Sequence, residues 1–446
     1  MKTTVVALIL ALAAAVAFGA GTEEGAADVQ KVVWWTSSLQ TEYRPAIQEL
    51  FLDPLAEAHP EVELELVYME DYYRTTQTAI QAGAGPDIIQ LGGPGYALEY
   101  WSAGQLSDMS DLAGHYGWES RLLGWAYESG TSADGSLITL PMHYETLLLF
   151  YNETLFEQYG LEPPANRADV EKVCGVAVVE GLICFSHYVA RNRWQFPAMW
   201  GGYAGHDRFY AASIQEMRWD HPLLVEAMEY WNSQVQAGWW GGDLETYYSM
   251  GYADANSALM EGDALMMING TWVTESLISM EAESGNHWNF VQTPPLRDGV
   301  EPVYELSIGE SIALSASAKH RDAAGTVLNF LFEDTTRAAK IAESTRFSSW
   351  FPPLHYKEAD FGSDIDPRIT RWISEFSLET GRGKTGYPVW GYWPPQSKTW
   401  AEQEIVKVHN GDMTAADFMA AFQEVYAADY AEAGMPIPPA PNTRSP

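Results

Sequence analysis

Leu140 to Asn152, LPMHYETLLLFYN, is the stretch that most limits what this chain can become. It follows the turn signal Asp134-Gly135 and runs almost unbroken through apolar residues. One carboxylate, Glu145, interrupts it, set among His143, Tyr144 and Thr146. A run this short, rich in Leu, Phe and Tyr, predicts a buried strand rather than a helix. A charge in such a strand is costly to bury unless it is paired or opens on a cleft. Glu145 therefore either marks a surface end of the strand or belongs to a crossover that carries polar groups into a ligand cleft between two lobes. The run alone leaves both open.

The flanking elements favour an α/β protein. Val29–Thr36 reads as a first strand, Tyr43–His59 as a helix stopped by Pro60, and Val62–Tyr68 as an alternating strand. Tyr72–Ala82 is a second helix, and Pro86-Asp87 opens the buried strand IIQL, which ends in Gly92-Gly93-Pro94-Gly95. Strand, helix, strand, helix, strand implies a parallel sheet with right-handed crossovers. Ligands bind beyond the carboxyl ends of such strands, here Trp35-Thr36-Ser37 and Leu91-Gly92-Gly93. Further on, helices are expected at Asp169–Gly181, Leu223–Gly238, Tyr252–Glu261, Ala323–Glu333 and Ala415–Glu432. Strands are expected at Leu182–Ser186, Leu265–Ile268, Asn289–Thr293 and Ser311–Ser315. Asn192–Gly202 and Trp390–Pro395 read as aromatic turns, the former beside Arg191 and Arg193. Pro294-Pro295 and Ser348–Pro353 read as further crossings between lobes.

At 446 residues the chain exceeds one ordinary core, so two domains of about 200 residues are expected. A net charge of −35 excludes a basic nucleic-acid footprint and most simply keeps an exported protein soluble. Eighteen Trp and 24 Tyr exceed what packing requires; some are expected to face an amphipathic ligand. Met1–Gly19 reads as a signal peptide, with Lys2 ahead of an apolar Val5–Ala17. No cysteine follows it closely, so a soluble periplasmic or extracellular protein without a lipid anchor is expected. Cys174 and Cys184 fit either a disulfide or two buried thiols, and their spacing speaks against a metal site. Gly381-Arg382-Gly383-Lys384-Thr385 resembles the end of a phosphate loop but lacks the earlier glycine, Leu378 standing there. No cofactor is implied.

Five segments in order carry a family resemblance: AGAGPDII (Ala82–Ile89), DGSLITLPMHYETLLLFYNETLF (Asp134–Phe156), GLEPP (Gly160–Pro164), LMEGDALMMINGTW (Leu259–Trp272) and IGESIALSASAKHRDAAGTVLNFLF (Ile308–Phe332). With them the chain resembles the extracellular solute-binding proteins of ABC importers, in the sugar-binding branch similar to maltose-binding protein. Two departures are Ala165–Asp169 after GLEPP, where relatives start a helix with Thr-Trp-Asp/Glu, and the missing lipobox cysteine. The resemblance implies a two-lobed periplasmic binding protein type II fold, each lobe a sheet flanked by helices. Lobe 1 would comprise 29–138 and 295–342, lobe 2 139–294 and 343–446. It implies a monomer that binds a small-molecule sugar between the lobes and meets ABC permease membrane subunits.

The resemblance also makes Glu145 a ligand carboxylate, able to accept two sugar hydroxyl hydrogen bonds. His143 and Tyr144 beside it should divide between cleft and core, because strand side chains alternate. Trp272, after the strand break at Asn269-Gly270, stands where relatives place a stacking ring; the competing place for it is the core. Trp390, Trp393 and Trp194 are further stacking candidates, and Arg193 a hydrogen-bond donor. Trp35, Ser37, Gly92 and Gly93 end first-lobe strands, with the glycines admitting close backbone approach. Glu310 is a candidate, or a solvated turn residue. A secreted glycosidase or lyase would need a second carboxylate across the sugar, for which Glu310 or Asp87 could be put forward. A cationic ligand such as a polyamine, held by aromatics and carboxylates, is the third alternative.

Overall fold

The computed structural model describes residues 29–69, 72–188, 192–347, 349–433 and 440–443. The leader expected at Met1–Gly19, Arg191, Ser348 and most of the proline-rich tail lie outside these. The strands are β1 (Gln30–Ser37), β2 (Val62–Met69), β3 (Ile88–Leu91), β4 (Leu140–Glu145), β5 (Leu147–Asn152), β6 (Ile183–Phe185), β7 (Ala264–Gly270), β8 (Trp288–Val291), β9 (Tyr304–Glu305), β10 (Ser307–Leu314) and β11 (Thr385–Gly386). They form a five-stranded sheet in the order β2-β1-β3-β10-β4, a four-stranded sheet β6-β7-β5-β8 and a short pair β11-β9.

The expected parallel sheet is present in β2-β1-β3. β10 returns antiparallel to both β3 and β4 and closes the first sheet on the other side. In the second sheet β6 runs parallel to β7, while β5 is antiparallel to β7 and β8. Each sheet has its own core. On the first, Val32 and Trp34 of β1 pack with Phe51, Leu328 and Phe330, and Trp34 stacks on Trp350 with ring centroids 4.9 Å apart. On the second, Leu149 and Leu265 pack beneath Trp200, Trp219, Trp231 and Phe422.

Leu140–Asn152 is the crossover. It breaks at Thr146 into β4 of the first sheet and β5 of the second, and every residue of both strands is buried. A boundary at 138/139 would detach β4 from its sheet. A second crossing occurs beside it, at Leu306 between β9 and β10 rather than at Pro294-Pro295. The two are tied to each other: Glu145 and Ser307 are paired residues, and the Ser307 hydroxyl donates to Glu145 Oε1 at 3.2 Å. Glu305, at the end of β9 beside this junction, is itself buried. At Ser348–Pro353, the Phe351 carbonyl accepts from Tyr144 N–H at 3.1 Å, so this segment also lies against β4.

Two elements differ from their expected form. The helix expected at Tyr43–His59 is a run of four pieces with a π turn at Gln48–Leu52, because Pro54 cannot donate to the preceding turn and its ring crowds it. Asn192–Gly202 is helical rather than a turn: a helix over Asn192–Gln195 widens into a π turn over Phe196–Gly201. Phe196, Met199 and Trp200 there are buried in the second core, so their aromatic density serves packing. Cys174 and Cys184 are disulfide-bonded, joining the helix Arg167–Glu180 to β6 over a separation of 10 residues. A loop of that size contributes about 3 kcal/mol by restricting the unfolded chain.

Candidate binding site

A cleft of about 490 Å³ opens where the two crossings meet the loops at the strand ends. Its floor comes from paired strands: His143 and Glu145 on β4, Gly309 and Glu310 on β10. Strand alternation divides the central run as expected, with His143 and Glu145 lining the cleft while Tyr144, 2% exposed, packs in a core against Phe351 at 4.6 Å. Tyr144 is therefore not a cleft residue. Gly309 is what lets the Glu145 carboxyl lie here, since a Cβ on it would come within 2.4 Å of Glu145 Oε2.

The electrostatics of the floor follow from burial. Glu145 is 6% exposed; loss of water pushes its carboxyl up to about 8, against the Ser307 hydrogen bond and with the help of the Glu310 charge. His143 is pushed down to about 4 by burial, so its ring is neutral. Its Nε2 is 3.2 Å from the Phe347 carbonyl and its Nδ1 3.6 Å from Glu145 Oε2. Glu310 Oε2 accepts from the Ser349 hydroxyl at 3.0 Å.

Three tryptophans form one wall. Trp194 lies on the short helix Asn192–Gln195, Trp272 in the turn after β7 and Trp390 on the short helix Val389–Tyr392. Trp194 meets Trp272 edge-on at 4.9 Å, and Trp390 stands 6.3 Å from each. All three line the cleft and are half-buried. The Trp272 ring folds back over Gly270, where a Cβ would come within 1.7 Å of it. Gly270→Ala should thus push the indole off the wall, changing the near-ultraviolet circular dichroism while the far-ultraviolet signal stays unchanged. An unaltered near-ultraviolet spectrum would mean the ring does not depend on that glycine. At the rim, Arg193 Nε pairs with Glu402 Oε1 at 3.0 Å.

Of the remaining expected positions, Ser37 and Gly92 line the cleft, at the ends of β1 and β3. Gly93 does not: its φ of 114° and a Cβ position 2.7 Å from the Ile308 carbonyl fit it to a turn packed on β10. Trp35 is half-buried outside the cleft, on the face of β1 opposite Trp34. Trp393 is a core residue, 2% exposed, stacked on Phe196 at 5.3 Å and donating from Nε1 to the Ser213 hydroxyl at 3.2 Å. Asp87 is structural, its carboxylate accepting from Val33 N–H at 2.9 Å and Lys319 N–H at 3.0 Å.

Sequence reasoning missed Glu42, Tyr43, Tyr96, Gly309 and Ser349, which also line the cleft. The rule that ligands sit beyond strand ends points to the loops of the first three; nothing local marks Ser349. Among the described residues no three His, Cys, Asp or Glu side chains are grouped to hold a metal ion, and no helix is long and apolar enough to cross a membrane.

Comparison with known proteins places this geometry. The profile of a family described as bacterial extracellular solute-binding protein matches residues 36–338. A mannitol-binding protein of Pseudomonas aeruginosa is 33% identical over 113 residues, 24% of this chain and 25% of that protein, so the match spans only a quarter of that relative's length. Among solved structures, a chitin oligosaccharide binding protein superposes with a TM-score of 0.74 at 15% identity, over 91% of this chain and 100% of the other. The GacH receptor of Streptomyces glaucescens, solved unliganded and with acarbose, gives 0.67 at 17% identity, over 90% and 98%. At such identities these structures share the two-lobed fold.

Proposed function

Because the chain belongs to the bacterial extracellular solute-binding proteins, we propose that it captures a sugar, an oligosaccharide, in this cleft and delivers it to the membrane subunits of an ABC importer. The observation that carries the reading is the indole wall of Trp194, Trp272 and Trp390 set against the carboxyl floor of Glu145 and Glu310. A pyranose has a face of C–H groups that packs on an indole, while its hydroxyls reach polar partners at the edge. The volume suits a small-molecule site. The relatives are said to bind mannitol, chitin oligosaccharide and acarbose, which supports a polyhydroxylated ligand. Family membership favours capture over catalysis. Ligand contacts with both lobes would favour a closed state, and we take Thr146 and Leu306 as the points about which the lobes turn.

A thermal-shift panel of oligosaccharides, amino acids and polyamines tests the reading, because a ligand that binds only the native state raises its melting temperature. An oligosaccharide is expected to shift it; a shift with polyamines and none with any sugar would overturn the proposal. Micromolar binding, about −8 kcal/mol, is the expected scale. Glu145→Ala should weaken binding tenfold or more in calorimetric titration with the fold retained, and unchanged affinity would remove Glu145 from the site.

A further inference from the structure

Among the described residues, the floor side chains His143, Glu145 and Glu310 carry more acceptors than donors. The Phe347 carbonyl can only accept, so the proton of the neutral His143 ring sits on Nε2, 3.2 Å away. Nδ1 is then a bare acceptor on a side chain 3% exposed. Its neighbour is Glu145 Oε2, at 3.6 Å, beyond hydrogen-bond reach, so neither atom satisfies the other whether or not the carboxyl holds its proton. Oε1 of the same carboxyl accepts from the Ser307 hydroxyl and Glu310 Oε2 from the Ser349 hydroxyl. Arg193, the cation lining the cleft, is paired with Glu402. A sugar hydroxyl brings one proton and lone pairs that need donors in turn. A primary ammonium brings three donors, no acceptor and a charge, and its hydrogen bonds to carboxylate are about twice as strong as neutral ones.

We propose that the sugar captured here carries a protonated primary amine, which docks between His143 Nδ1 and Glu145 Oε2 while the pyranose rings lie along the tryptophan wall. This rests on the sugar reading above and narrows it to amino sugars. It also predicts a proton balance. Burial pushes the Glu145 carboxyl up to about 8, so at pH 7 the empty cleft holds it protonated, and an ammonium on Oε2 displaces that proton to solvent. A neutral sugar, which hydrogen-bonds the carboxylic acid as it stands, displaces none.

The test is calorimetric titration of the full chain with matched oligomers of glucose, N-acetylglucosamine and glucosamine, at pH 7 in two buffers of different ionisation enthalpy. The glucosamine member is expected to bind at least tenfold more tightly than its two counterparts and to release about one proton. Glu145→Gln should abolish both the preference and the release, while leaving binding of the neutral oligomers measurable. Equal or tighter binding of the neutral oligomers would overturn the amine proposal and leave the sugar reading intact. Binding of a linear polyamine with no sugar bound would overturn both.

Discussion

Trp393→Ala is expected to cost about 3–5 kcal/mol of stability, whereas Trp390→Ala, three residues earlier, should cost affinity and leave the unfolding midpoint close to wild type. The difference lies in what each ring touches. Trp393 is stacked on Phe196, meets Trp219 edge-on at 5.0 Å and Phe422 at 5.1 Å, and satisfies its N–H on Ser213. Its removal leaves a cavity in the second core that rigid aromatic neighbours cannot fill. Trp390 is half-buried and meets its two partners at 6.3 Å in the cleft wall. Losing one stacking ring there should cost about 1–2 kcal/mol of binding, roughly five- to thirtyfold. Denaturant unfolding and ligand titration of the two variants read this directly. An unchanged midpoint for Trp393→Ala would show that the ring is not holding the core.

Stability should fall as pH rises from about 6.5 to 8. Burial pushes Glu145 and Glu305 up to about 8, while an unfolded glutamate ionises near its ordinary value of about 4.5. Between those values the folded state holds protons that the unfolded state releases, so each group lowers stability with rising pH by at most about 1.4 kcal/mol per unit. Burial also holds His143, His206 and His409 down at about 4. Below pH 6.5 the unfolded chain takes up protons there that the folded chain refuses, which gives the opposite slope. The two trends offset each other between about 4.5 and 6.5 and leave the alkaline limb to the glutamates. Unfolding midpoints from pH 5 to 9 should show a mildly acidic maximum, and Glu145→Gln with Glu305→Gln should flatten the decline. A wild-type midpoint level from pH 6.5 to 8 would contradict the buried-acid account.

The fold was legible because periodicity and order carry it. Strict alternation marked Val62–Tyr68, one residue short of β2, unbroken apolar runs marked β3 and the crossover, and helical spacing marked Tyr252–Glu261 to the residue. Within the site, alternation along β4 separated His143 from Tyr144 before any coordinates. What failed was reading which aromatic residue faces where once the local element was misjudged. Asn192–Gly202 holds Pro197, Gly201 and Gly202, turn residues that a π turn absorbed. Trp390 and Trp393 share a motif, but the first lies within a four-residue helix and the second caps its end, and this sends their rings to opposite destinations. Gly309 and Ser349 enter the cleft from segments far apart in the chain, where no local signal records the meeting.

Glu145 and Ser307 face each other across the two crossings, and this has a mechanical consequence. Under the proposed closure, two breaks side by side would make a single axle, about which one lobe would rotate but along which it could not easily slide. Atoms near an axle travel least, so His143, Glu145 and Glu310 would keep nearly the same positions open or shut. Trp272 follows Thr271, whose N–H donates to the Thr146 carbonyl at 3.0 Å, so its indole too would stay close to the axle. A ligand would therefore anchor on a seat of polar groups and one indole that scarcely shifts as the lobes close.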